Sequence, residues 1–224
     1  MCTIIVRLDP HAAESVVVAA NRDEVRTRPS DEPAEVRPGI FAGRDRLAGG
    51  TWLAIGHRAL AAITNIADAS RDRDARTRGV LPLAALEGAL PSDFAPWNPF
   101  NLLVVDRRGA RVVTHPGPES SAVVRELGPG THVIVNALFG APCPRAEYAK
   151  RRLIVHEPTF DLLADHGPPD SLGLCHHGDQ YGTVSSTVIA LGRDLRVTRY
   201  WHRAGLPCST PTSDLTAAAR AVAA

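Results

Sequence analysis

The chain has 224 residues, with 25 basic and 24 acidic side chains and a formal net charge of +1. Because the basic residues are scattered along a nearly neutral chain, no nucleic-acid partner is expected. A hydrophobic content of 44% is enough for a sizeable core, and we place a single domain over residues 1–224. No stretch approaches the roughly 20 apolar residues that span a bilayer, so membrane insertion is not expected and the default location is the cytoplasm.

The amino-terminal stretch combines a cysteine at position 2 with the apolar run Thr3–Val6, which predicts a strand. If Met1 is removed, Cys2 carries a nucleophilic thiol and a free α-amine, which could act as the base for that thiol. On residues 1–7 alone, the alternative is that Cys2 is a small hydrophobic residue of an ordinary strand.

A second strand is predicted over residues 14–21, and the short link at 9–11 makes it an antiparallel partner of the first. The polar segment 21–24, Asn-Arg-Asp-Glu, closes this apolar run, which commonly marks a solvated turn. A hairpin would nevertheless return it to Cys2. There Asp23 could bind the α-ammonium, and Arg22 could orient a carboxylate or a substrate carbonyl.

The rest of the chain alternates strands with a few helices. Residues 25–50 predict an ordered irregular loop, and residues 71–78 predict a charged loop. Strands are predicted at 51–55, 59–66, 100–106, 110–115, 122–127, 131–136, 181–191 and 195–202, and helices at 79–90, 144–156, 159–165 and 213–223. Because the strands form antiparallel hairpins, the class is α+β, with two antiparallel sheets packed face to face and helices outside.

Two asparagines, Asn65 and Asn136, each close an apolar strand. Their side-chain amides could donate to an oxyanion, although an asparagine at a strand end is also a common turn former.

The segment Cys175-His176-His177 contains residue types that bind metals. No second ligand group at helical spacing completes a site, so we predict a loop with solvated histidines, with no metal and no cofactor. The four cysteines also lack the paired spacing of a disulfide framework or a four-thiolate zinc site.

Several different short motifs are spread along nearly the whole chain. They stand at 1–4 (Met-Cys-Thr-Ile), 20–24 (Ala-Asn-Arg-Asp-Glu), 42–45 (Ala-Gly-Arg-Asp), 49–53 (Gly-Gly-Thr-Trp-Leu), 64–65 (Thr-Asn), 78–79 (Arg-Gly), 100–103 (Phe-Asn-Leu-Leu), 135–136 (Val-Asn), 181–183 (Tyr-Gly-Thr) and 185–187 (Ser-Ser-Thr). With these motifs the chain resembles the NRDE family, also called the transport-and-Golgi-organisation-2 family. That family looks like the N-terminal-nucleophile hydrolases of the penicillin V acylase and bile salt hydrolase type, which implies an αββα sandwich.

The resemblance implies a role for each matching residue. Cys2 would be the nucleophile, Asp23 would hold its α-amine, and Asn65 and Asn136 would stabilise the oxyanion. Arg22 is added because it lies inside the same motif, whereas the related enzymes carry an arginine at the place of Ala20. A second departure is Val184, where the family usually reads arginine, so a guanidinium beside Ser185 is missing.

The implied activity is hydrolysis of a linear carbon–nitrogen amide in a small-molecule amide or acyl substrate, with acyl transfer as a variant. The alternative is a non-catalytic protein that binds and carries haem, acyl-CoA or lipid, with Cys2, His176 or His177 as a ligand. The sequence does not specify the substrate, and it leaves the oligomeric state open, a homo-oligomer included.

Overall fold

Two antiparallel sheets form the fold in a computed structural model that describes residues 2–67, 72–168 and 173–224. The strands are numbered in chain order. The first sheet has the spatial order β10 (Gly130–Val135), β1 (Thr3–Leu8), β2 (Glu14–Val25), β11 (Tyr181–Gly192), β12 (Val197–Arg203) and β13 (Ser213–Asp214). The second sheet is a meander of β3 (Ser30–Arg37), β4 (Ile40–Asp45), β5 (Leu53–Gly56), β6 (Ala59–Asn65), β7 (Phe100–Asp106), β8 (Gly109–His115) and β9 (Val123–Leu127).

The central strand β1 is buried on both faces, which explains its unbroken apolar run. Ile4 and Val6 point into the core between the sheets, where they join residues such as Leu103 of the second sheet. Ile5 points the other way, into a separate cluster with Ala149. The first residues of the chain are therefore held rigidly from both sides.

Short helices cover the outer faces of the two sheets. They are α1 (Leu81–Leu86), which follows a single 3₁₀ turn at Arg78–Val80, α2 (Pro144–Arg152) and α3 (Phe160–Leu163). Helix α4 (Thr216–Val222) instead packs its Ala219 into the core cluster between the sheets. Helix α1 packs on the second sheet, and α2 and α3 pack on the first. The predicted α+β class and its layers of helix, sheet, sheet and helix are therefore confirmed.

Two predictions about the amino-terminal half are wrong. Residues 25–50 are not an irregular loop, because they contain the hairpin of β3 and β4. The composition of β3 gave no strand pattern, because β3 is an edge strand with mostly exposed, charged side chains and a proline at position 33. The predicted end of the second strand at residue 21 is also wrong, since the polar segment 21–24 continues β2. Strand β2 runs on to Val25 because β11 pairs with it as far as Tyr181.

The remaining predicted elements are present with shifted ends. The helix expected over 213–223 begins only at Thr216, since Ser213–Asp214 pairs with β12 as a short strand. Part of the loop predicted over 71–78 falls outside the described residues. Within the described ranges, no helix combines the length and the hydropathy of a membrane-spanning segment.

Candidate active site

Cys2 lies at one end of the first sheet, between the neighbouring strands β10 and β2. Thr3 pairs with Val135 on one side and with Asn21 on the other. The half-buried thiol of Cys2 has its sulfur 3.5 Å from the main-chain oxygen of Asp23. Burial, together with the negative charge of Asp23, raises the pKa of the Cys2 thiol above its ordinary value. In this unprocessed chain the thiol is therefore protonated at neutral pH.

The carboxylate of Asp23 is buried inside a polar network. Its Oδ2 accepts a hydrogen bond from Nη2 of Arg145 at 2.9 Å, and its Oδ1 accepts one from the hydroxyl of Thr183 at 2.7 Å. Nε of Arg145 donates to Oγ1 of Thr3 at 2.8 Å. A buried charge is stable only when it is paired and hydrogen-bonded, and Asp23 is both. The network therefore fixes Asp23 next to Cys2.

Arg145 is the site residue that sequence reasoning missed. It is the second residue of α2, directly after Pro144, and its side chain is only 2% exposed. A cation is disfavoured in the first turn of a helix by the macrodipole, so an arginine there is a weak signal of a buried acidic partner. No local motif names that partner, because Asp23 lies 122 residues away.

Asn21, the first residue of the polar segment, ties β2 to the loop that leads into β11. Its Nδ2 donates to the main-chain oxygens of Leu163 at 3.0 Å and Leu174 at 2.8 Å, and its Oδ1 accepts from Ser186 at 2.7 Å. Arg145 donates to the same Leu174 oxygen at 2.8 Å. Asn21 therefore fixes β2 to α3, to the loop before β11 and to β11 itself.

The two predicted oxyanion asparagines come from different sheets and meet at the same end of the fold. Nδ2 of Asn136 donates to the main-chain oxygen of Asn65. Beneath them Thr64 donates to the oxygen of Val135 at 3.0 Å, and Asn101 donates to that same oxygen at 3.1 Å. These buried bonds join the ends of β6 and β10 and bring Asn65 and Asn136 next to each other.

The guanidinium of Arg22 is stacked on Trp52, with its carbon 4.3 Å from the ring centroid. Its Nη2 lies 3.7 Å from Oδ2 of Asp45, while Nη1 is buried without a hydrogen-bond partner among the described residues. Gly43 makes room for Trp52, since a Cβ at position 43 would lie 2.8 Å from the ring. A buried donor without a partner is costly, so Nη1 is suited to a ligand oxygen.

All five predicted site residues, Cys2, Arg22, Asp23, Asn65 and Asn136, line one open cleft of about 580 Å³. The motif glycines Gly50 and Gly79 pack directly on each other in its wall, since a Cβ at position 50 would lie 2.4 Å from the carbonyl carbon of Gly79. The fold thus brings together residues that are far apart in sequence. Their roles in a reaction stay predictions.

Three other positions singled out in the sequence lie apart from the described cleft wall. Val184 is the extra residue of a bulge in β11, between Thr183 and Ser185. It does not line the cleft, and neither do His176 and His177, which lie in the loop before β11.

Comparison with known proteins gives one family. The family model described as Transport and Golgi organisation 2 matches residues 1–166. Transport and Golgi organization 2 homologs from Mus musculus, Bos taurus and Homo sapiens are each 31% identical over 173, 173 and 179 residues. The matches cover 67% of this chain and 62% of each relative, so the chain spans less than two thirds of these relatives. Among solved structures, the C2A mutant of the conjugated bile acid hydrolase from Clostridium perfringens aligns over 96% of both chains, with 8% identity and a TM-score of 0.45.

Proposed function

The chain belongs to the Transport and Golgi organisation 2 family, and from its cleft we propose that it is a cysteine amidohydrolase whose amino-terminal residue is the nucleophile. The observation that carries the proposal is the shared position of the Cys2 thiol, the Asn65 and Asn136 amides and the unpartnered Nη1 of Arg22 in one cleft. The substrate is a small molecule with a linear carbon–nitrogen amide, and an amine in place of water would give acyl transfer.

Removal of Met1 is the activating step in this proposal. With Met1 attached, burial and the charge of Asp23 raise the pKa of the thiol, so little thiolate forms at neutral pH. Once Met1 is gone, Cys2 carries an α-amine with a pKa of about 7.7–8.0, and this amine can accept the thiol proton. The negative charge of Asp23 favours the ammonium that results.

Each bond change then has a named group. The Cys2 thiolate forms a carbon–sulfur bond to the amide carbonyl, and the oxyanion accepts hydrogen bonds from the amides of Asn65 and Asn136. The tetrahedral species collapses, the carbon–nitrogen bond breaks, and the α-ammonium gives its proton to the leaving amine. Water, deprotonated by the same α-amine, hydrolyses the thioester and regenerates the thiol. Nη1 of Arg22 donates a hydrogen bond to a substrate oxygen that is remote from the reacting carbon.

The experiment is acyl trapping with peptide mapping. The processed chain is incubated with an activated acyl ester and digested under conditions that keep thioesters intact. We expect one acyl group on Cys2, its loss in Cys2→Ala and its retention in Cys143→Ser, which removes another half-buried thiol. Acylation at Cys143 with an unmodified Cys2 would refute the assignment.

The carrier alternative has no specific observation in its favour among the described residues, and it predicts that Cys2→Ala still binds haem or acyl-CoA without any acylation of the wild type. The cytoplasmic location remains a prediction.

A further inference from the structure

Two cysteines and two histidines from three separate segments meet outside the cleft. His166 follows α3, Cys175 and His177 lie in the loop that leads into β11, and Cys208 lies between β12 and β13. Their ligand atoms all lie within 4.8 Å of one another. The sequence showed only the segment 175–177 and lacked a second ligand group at helical spacing. The fold supplies that group from distant loops.

The spacing of these atoms fits a tetrahedral ion. Two thiolates that each stand about 2.3 Å from a tetrahedral zinc ion are about 3.8 Å apart. The sulfurs of Cys175 and Cys208 are separated by 3.8 Å, and Nε2 of His177 lies 3.2 Å from the sulfur of Cys208. The rings of His166 and His177 stand at 87° to each other, with centroids 4.7 Å apart. The four donors therefore need only small movements to reach one ion.

The main chain is built to bring the segments together. The amide of Cys175 donates to the carbonyl oxygen of Asp165, directly before His166, at 3.0 Å. Gly173 permits this approach, because a Cβ there would lie 2.0 Å from the carbonyl oxygen of His166. Any side chain larger than hydrogen at position 173 would separate the histidine from the cysteine.

We propose that His166, Cys175, His177 and Cys208 form a binding site for a zinc ion. Binding releases one proton from each thiol, and two thiolates then balance the charge of the divalent ion. A set of two cysteines and two histidines is the ligand chemistry of structural zinc sites, and soft thiolates disfavour magnesium and calcium.

The bound ion stabilises the loop that holds the partners of Asp23. The oxygen of Leu174, the residue before Cys175, accepts from Arg145, and the amide of His176 donates to Thr183 at 2.9 Å. The zinc site thus stands beside the cleft as a support for its buried network. It is independent of whether the cleft hydrolyses amides.

The test uses the full-length, reduced chain after removal of metals with a chelator, titrated with cobalt(II) alone. We expect one equivalent to produce thiolate-to-cobalt charge-transfer absorption and the visible bands of a tetrahedral ion, and zinc to displace it. Zinc should also shift the Tm upward. Cys208→Ser and His177→Ala should lose the bands and the shift, and both positions are exposed, so these variants should fold.

Two matched variants serve as controls, Cys143→Ser for a thiol elsewhere and His176→Ala for a histidine beside the cluster. Both should keep the cobalt spectrum. Absence of tetrahedral bands in the wild type, or bands that persist in Cys208→Ser, would overturn the proposal. A disulfide between Cys175 and Cys208 in protein purified with reductant would overturn it as well. None of these outcomes depends on amidase activity.

Discussion

Replacing Arg145 by methionine tests how the buried carboxylate of Asp23 is held. The ion pair joins Nη2 of Arg145 to Oδ2 of Asp23 at 2.9 Å, and the side chains are 2% and 0% exposed. Removing one member of a buried pair leaves the other charge uncompensated, which typically costs about 3–5 kcal/mol. Arg145→Met keeps most of the side-chain volume, so we expect a loss of that order in the free energy of unfolding.

The assay is equilibrium unfolding in urea, followed by tryptophan fluorescence, with the double variant Arg145→Met/Asp23→Asn completing a mutant cycle. Because the double variant buries no unpaired charge, it should recover most of the lost stability. The matched control is Arg37→Met. That residue pairs with Glu87 at 2.6 Å, but the two side chains are 45% and 39% exposed, so the expected cost is only about 0.2–1 kcal/mol.

A loss of stability in Arg145→Met no larger than that in Arg37→Met, or a double variant that loses the sum of its two single changes, would refute this expectation. Either result would mean that Asp23 does not depend on Arg145 for its charge to be buried.

The remaining predictions concern pH and packing. Burial lowers the pKa of His202 to about 4. Between about pH 6.5 and 4 the His202 imidazole is therefore protonated in the unfolded chain but neutral in the folded chain. This part of the stability is complete above pH 6.5 and is lost as the pH falls, by about 3 kcal/mol. His202→Asn should flatten that part of the pH dependence in urea titrations, and an unchanged slope would contradict it. Gly43→Ala should cost about 1–3 kcal/mol because its Cβ meets Trp52, whereas Gly128→Ala, with nothing within 4 Å, should be nearly neutral in the same titrations. Equal effects of the two would show that Trp52 is not tightly confined.

The sequence predicted the strands that are buried on both faces better than the strands at the edge. The run Ile4–Val6 is apolar because both of its faces pack against other layers, so pattern and propensity agree. In Ser30–Arg37 the exposed side chains are charged, and the pairing is made by the main chain, which leaves no apolar pattern. A composition-based argument therefore interprets such an edge strand as a loop.

The candidate site could be predicted only where a motif marks its residues. Cys2 directly precedes β1, and Asp23 lies in its hairpin partner β2, so a local argument brings them together. Arg145 and the zinc ligand Cys208 stand in segments without a motif, and only the tertiary fold carries them to their partners. The supporting groups of a site are decided by long-range packing, which one sequence does not display.

The most direct test of the central claim is the intact mass of the purified chain before and after exposure to an activated acyl ester. We expect a mass without Met1 and the gain of one acyl group at Cys2. A matched chain with one glutamate inserted between Met1 and Cys2 keeps its methionine and adds no amine side chain, and we expect it to fold but to gain no acyl group at Cys2. Full retention of Met1 in an acylated chain, or equal acylation of Cys2 in the glutamate-extended chain, would contradict the claim that Cys2 acts through its own α-amine.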